Sequence, residues 1–410
     1  MRIYTGRRAV AGLLLAALVA GTVGAAAGPA TASGDARGRL VSATPMRTYH
    51  SAEEVAAALR GAEFDDGAVR YGVDTYRLVY RTVDVAGRPT TASGLLVLPR
   101  TDQRELRTVS YSHGTTTYRG DAPSMPAEDG WGQAPAITYA AAGFAAVTAD
   151  YLGLGTGPGL HPWMDIPSET TASVDLLRAA REFVPKKGKV LKRQVMVAGF
   201  SQGASAALGL GRELQAGGDP WFRLAALAPI SGAYDLRAAE LPALLDKQLD
   251  TKLSVLYSAL FLVSFNRQHH LYDNPAEVFQ DGYATRIEAL FDGTVPGRVL
   301  FRDTPDTVGQ LLTPHGFDLL RDPPERLAAA LRVTDAVCAD WTPKVPVRLF
   351  EIAKDEQAAN ANTASCVAAL TAHGVDPHLT TFTEGDYHGS AHLSSNIQGT
   401  AATVRWFAQL

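Results

Sequence analysis

Beyond about residue 70 the chain alternates short apolar runs with amphipathic stretches. Residues 76–84 (YRLVYRTVD) alternate in polarity and are rich in Val, Tyr and Thr, which predicts a half-buried strand. Residues 92–99 (ASGLLVLP) predict a second strand, and Arg88-Pro89 fall in the turn between them, so the two read as an antiparallel hairpin. Further strands are predicted at 108–112, 144–150, 194–200, 224–230, 346–352 and 378–383. Most are short continuous apolar runs, the pattern of a sheet buried on both faces. Helical patterns lie at 133–142, 169–184, 204–214 and 396–410; Gly143 stops the first and Pro185 the second. The second places Val174, Leu176, Leu177, Ala180 and Phe183 on one face. Strands alternating with helices predict an α/β fold with a mostly parallel eight-stranded sheet and helices on both faces.

The rhythm breaks once. More than a hundred residues separate the strands at 224–230 and 346–352, with helical patterns at 239–259, 276–289, 307–312 and 325–333. A structureless loop of that length does not suit a compact domain. The pattern predicts a core of 33–236 and 344–410, with a helical cap (237–343) inserted between strands 6 and 7.

The N-terminus reads as an address. Arg2, Arg7 and Arg8 precede an uncharged apolar run over 9–23, and Ala30-Thr31-Ala32 offers a small-residue cleavage site, with Ala25-Ala26-Ala27 as the alternative. That layout predicts a signal peptide over 1–32 and a secreted protein. The run is shorter than the roughly 20 residues a membrane span needs. Cleavage removes three arginines and no acids, which takes the net charge from −4 to −7. Such a balance is no footprint for nucleic acid. The longest later apolar stretch, 253–265, has 13 residues and reads as a buried or lid helix rather than a span. It predicts either the wall of a binding channel or a helix buried within the cap. The two cysteines are too few for a disulfide scaffold or a Cys₄ zinc site. In an oxidising compartment Cys338 and Cys366 are expected to pair, the alternative being two buried thiols.

Candidate chemistry centres on Gly199-Phe200-Ser201-Gln202-Gly203, a G-x-S-x-G pattern that follows a strand and opens an Ala-rich helix. A serine at such a strained turn presents its hydroxyl above the sheet, with the helix N-terminus aimed at a developing oxyanion. Ser201 is therefore the candidate nucleophile. The base should follow the last strand. His388, beside Gly389, is the first candidate, and His392 competes four residues on. The acid should lie between nucleophile and histidine, and Asp355 directly follows its strand; Glu356 and Asp235 are the alternatives. The backbone N–H groups of Gln202 and Thr115 are expected to form the oxyanion hole, with Gly114 as the alternative to Thr115. His113 fits a packing role. Asp150 to Gly155 (DYLGLG) contains G-x-G but lacks the acidic residue a dinucleotide site requires.

These residues resemble those of the α/β-hydrolases, and more narrowly the secreted lipase family of the fungal lipase A type. The resemblance rests on SHGT, DYLGLG, GFSQG, the helical insertion and DYHG, spread over roughly residues 75–410. It implies carboxylic ester hydrolysis of a small-molecule or lipid ester, an insertion acting as a lid, and Ser201, Asp355 and His388 as nucleophile, acid and base. The chemistry requires no metal or organic cofactor. One departure from the family pattern is 353–358 (AKDEQA), where relatives carry a glycine-containing turn before the acid and a Val-Pro pair after it. Two rival readings are a peptidase on the same fold, with an acidic pair such as Asp250 and Glu288 holding a substrate amine, and a secreted binding protein without turnover.

Overall fold

The computed structural model describes residues 37–126 and 130–410. The leader expected over 1–32 lies outside the described residues. Among the described residues nine strands form one sheet: β1 (Leu40–Tyr49), β2 (Val73–Val83), β3 (Pro89–Pro99), β4 (Glu105–Ser112), β5 (Ala145–Ala149), β6 (Val190–Phe200), β7 (Arg223–Ile230), β8 (Arg348–Ile352) and β9 (His378–Phe382). Their order is β1-β2-β3-β5-β4-β6-β7-β8-β9. The pairs β1·β2, β2·β3 and β3·β5 are antiparallel, and the rest, from β5 through β9, run parallel. This is the α/β-hydrolase fold, with nine strands where the sequence predicts eight.

The added strand is β1. Its residues are mostly solvent-facing and show no two-residue apolar period, and its register against β2 shifts twice. An edge strand of that kind carries little hydrophobic signal. The central strands behave as their apolar runs demand. In β6, Val195 and Val197 enter the core on one face, with the helices Ile166–Phe183 and Gln202–Ala216. The residues between and beyond them, Met196, Ala198 and Phe200, enter the core on the other face, with the helices Ala134–Ala141 and Ala391–Phe407. A strand buried on both faces has no polar side to show.

Between β7 and β8 the chain is helical in short pieces from Leu236 to Asp335, with one long helix, Thr251–His269. The pattern at 239–259 breaks in two: a helix ends at Leu245, and Asp250 caps the next by accepting from the Leu253 N–H at 2.9 Å. The pattern at 276–289 resolves into three turns of three or four residues each. These helices bury a hydrophobic cluster that also takes in Trp163, Met164 and Ala359. Cys338 and Cys366 are disulfide-bonded, with Cα atoms 5.2 Å apart, and tie the chain after the last of these helices to the helix Asn360–Ala372. No helix among the described residues is long and apolar enough to cross a membrane.

Candidate active site

Ser201 sits between β6 and the helix Gln202–Ala216 with φ 55° and ψ −124°. A non-glycine residue held there stores about 1–3 kcal/mol of strain, so its surroundings must fix it. The Ser201 N–H donates to the Ile230 carbonyl and the Ser201 carbonyl accepts from the Ala204 N–H, each at 2.9 Å. The flanking glycines follow from steric contact. A Cβ on Gly199 would lie 2.0 Å from the Gly203 carbonyl oxygen, and one on Gly203 would lie 2.0 Å from the Ser112 oxygen. Both neighbours are backbone and cannot turn aside. The G-x-S-x-G spacing is thus what lets β6, the helix and the end of β4 close around the serine. Gln202, as the first helical residue, has no carbonyl one turn earlier to accept its N–H.

Asp355 follows β8, and its carboxylate is fixed from two sides. Oδ1 accepts from the N–H groups of Gln357 and Ala358, both at 2.9 Å, and Oδ2 lies 2.8 Å from Nδ1 of His392. Asp355 and His392 are both buried. The expectation that His388 meets the acid is corrected here. His388 has a side chain 71% exposed, and its Nε2 lies 3.1 Å from Glu63. The reason is local. His388 (φ 52°) and Gly389 (φ 90°) make a tight turn, and Ser390 then caps a helix beginning at Ala391, five residues before the predicted start at 396. That places His392 in the first turn, facing the sheet, with its ring against Phe200 at 4.7 Å between centroids. The signal available in the sequence was Ser390 as a helix cap, its hydroxyl accepting from the Leu393 N–H at 3.0 Å.

The alternatives for the acid have other tasks. Glu356 accepts from the Ser390 hydroxyl and, at 3.1 Å, from the His392 N–H, so it anchors the start of the histidine's helix. Asp235 caps the turn Leu236–Glu240 and accepts from the Ser365 hydroxyl at 2.7 Å. Burial works against a charged His392, but the Asp355, Glu356 and Glu240 carboxylates outweigh it and raise the imidazole's pKa.

Thr115 lies beside Ser201, its Oγ1 accepting from Trp163 Nε1 at 3.0 Å. Gly114 packs so closely that a Cβ there would lie 3.3 Å from the Ser201 Cβ. His113 is buried and stacked on Tyr151, with ring atoms 2.7 and 3.4 Å from the Gly114 and Asp150 carbonyl oxygens, which fits a packing role. Asp150, in DYLGLG, accepts from Ser93 Oγ at 2.6 Å and from both the N–H and the hydroxyl of Ser124, so it pins the loop that borders the site. The Gln202 side chain, behind Ser201, donates to Glu169 at 2.6 Å and lies 3.2 Å from His161 Nε2. Burial pushes the Glu169 carboxyl up to about 8 and the His161 imidazole down to about 3.

Ser201 stands between two unlike spaces. One is a tight pocket of about 20 Å³, room for about one water, walled mainly by Trp163, Met164, Leu236, Leu241, Leu244 and Phe261. The other is a cavity of about 320 Å³ whose lining includes Thr116, Thr117, Asp121, Asn396 and His392. The helix Thr251–His269 divides its side chains between these spaces and the interior. Tyr257 and Phe261 reach the tight pocket, and Leu253, Leu256 and Leu260 line a neighbouring apolar cavity of about 130 Å³. Val255, Ala259, Leu262, Val263 and Phe265 are buried among the surrounding helices. Asp250 and Glu288, the pair considered for a substrate amine, line neither space beside Ser201.

The chain resembles α/β-hydrolase esterases and lipases of the lipase A type. The rice cell wall degrading esterase LipA from Xanthomonas oryzae is 26% identical, with a TM-score of 0.80 over 92% of this chain and 98% of its own. A protein from Legionella pneumophila, 22% identical, reaches a TM-score of 0.80 over 90% of this chain and 98% of its own. Candida antarctica lipase A in its closed state, 17% identical, reaches 0.64 over 91% of this chain and 82% of its own. No protein-family model and no curated protein matches the sequence.

Proposed function

We propose that the protein is a secreted serine carboxylic-ester hydrolase with Ser201 as nucleophile, His392 as base and Asp355 as the orienting acid. The observation that carries this reading is the buried Asp355–His392 pair, 2.8 Å apart, with His392 lining the same cavity as the strained Ser201. The choice of ester chemistry rests on the likeness to LipA, whose description is that of an esterase. Secretion rests on the leader pattern in the sequence and on the disulfide.

His392 Nε2 takes the Ser201 proton as Oγ attacks the ester carbonyl. The tetrahedral oxyanion is held by the backbone N–H groups of Gln202 and Thr115. Collapse breaks the bond to the alcohol oxygen, which leaves with the proton from His392. Water, deprotonated by the same imidazole, then attacks the acyl-serine, and Ser201 Oγ departs as the leaving group and recovers the proton. Asp355 keeps Nδ1 protonated and stabilises the imidazolium.

The proton route assigns the two spaces. The alcohol must depart on the histidine's side, and His392 lines the larger cavity and not the tight pocket. The larger, polar cavity therefore receives the alcohol and the apolar pocket receives a compact acyl group, with the Leu236, Leu241 and Leu244 side chains yielding to anything larger than a methyl. Hydrolysis of p-nitrophenyl esters from acetate to palmitate tests this on the wild type and on Ser201→Ala. The expected result is a short-chain optimum with turnover lost in the variant. No turnover, or turnover that survives the substitution, contradicts the mechanism; a palmitate optimum contradicts the pocket assignment.

A further inference from the structure

The acyl pocket has one feature that an alkyl chain does not use. Glu240, which ends the first turn after β7, lines the pocket together with Ser201 although its side of the wall is otherwise Leu236, Leu241 and Leu244. The residue is 6% exposed. One carboxylate oxygen is fully engaged: Oε2 accepts from the Ala359 N–H at 3.0 Å and from Asn362 Nδ2 at 2.6 Å. The other, Oε1, accepts no hydrogen bond from a described residue. A carboxylate oxygen without a partner on a pocket wall is an acceptor open to a donor there. Anchoring the acid's loop needs Oε2 alone, so the free oxygen is surplus to any structural task.

Resting on the ester-hydrolase reading above, we propose that Glu240 is a specificity-determining residue whose Oε1 accepts a hydrogen bond from a hydroxyl or ammonium on a short acyl group. The preferred substrates are then esters of small hydroxy- or amino-acids rather than of plain alkanoic acids. Selectivity of this kind arises because a site built for a donor is left unpaired by an analogue lacking it. Burial pushes the Glu240 carboxyl up to about 7, and at pH 8 the carboxylate is the majority form and accepts.

Glu240→Gln separates the structural oxygen from the pocket oxygen. The amide oxygen can keep the bonds from Ala359 and Asn362, and the amide NH₂ then replaces the open acceptor with a donor. The measurement is kcat/KM at pH 8 for p-nitrophenyl butyrate, 3-hydroxybutyrate and 3-aminobutyrate. The wild type should favour at least one substituted ester over butyrate by about tenfold or more. The larger preference identifies the donor as hydroxyl or ammonium. In Glu240→Gln that preference should vanish or invert, whatever happens to the absolute rate. A wild type that favours butyrate, or a preference unchanged by the substitution, overturns the proposal while leaving the hydrolase reading intact. No turnover of any of the three esters by the wild type sinks both.

Discussion

The sheet ends and the helical segment between β7 and β8 meet at Ser201 and contribute differently. The sheet carries the proposed reacting groups: Ser201 after β6, Asp355 after β8 and His392 after β9. Ser201 and Asp355 stand within three residues of a strand end, Asp355 held by the Gln357 and Ala358 N–H groups, and His392 stands two residues past the Ser390 helix cap. The helical segment supplies the wall of the tight pocket through Leu236, Leu241, Leu244, Tyr257 and Phe261. Its helices pack on one another through apolar side chains. On the proposed mechanism the difference makes chemistry and acyl selection separable, because strand ends and one helix cap carry the first and side-chain volume carries the second.

The sharpest break on the sheet side is Asp355→Asn. It should lower kcat by about 10³–10⁴-fold on every ester alike, since the histidine loses its orienting acceptor and its counter-charge. The pH profile adds a sign. His392 is raised above the ordinary histidine value, about 6.5, so the acid limb of kcat/KM should lie above that pH in the wild type. Without the Asp355 charge, burial disfavours the imidazolium and the limb should move to lower pH. A limb that stays in place would show that another group titrates it.

On the helical side, Leu244→Phe should change the profile and not the chemistry. Filling a pocket of about 20 Å³ should depress butyrate relative to acetate by about tenfold, read as the ratio of their kcat/KM values. An unchanged ratio would move the acyl group out of this pocket and into the wider cavity.

The same division explains what was legible in the sequence. The nucleophile turn was legible because its constraint is local: two glycines two residues from a serine, at the join of strand and helix. The place of Asp355, the proposed acid, was legible for the same reason, standing directly after β8. His392 was not, because choosing it over His388 required the start of the last helix to within a few residues. The tight turn at His388 and Gly389 and the cap at Ser390 decide that start, and neither carries an apolar period. β1 escaped because its side chains are mostly exposed. Glu240 escaped because nothing in its local sequence sets it apart; only the approach of Ala359 and Asn362, more than a hundred residues away, does so. The pairing of Cys338 with Cys366 was expected from the leader pattern, with two buried thiols as the alternative, and the disulfide decides between them.

The central claim is that Ser201 is activated by His392, and covalent labelling of Ser201 by a fluorophosphonate tests it most directly. The rates for wild type, His392→Ala and His388→Ala should be compared at one pH. The account predicts that His388→Ala labels at the wild-type rate, because that side chain is exposed and paired with Glu63, and that His392→Ala labels slower by about 10³-fold or more. Slow labelling of His388→Ala with normal labelling of His392→Ala would contradict it.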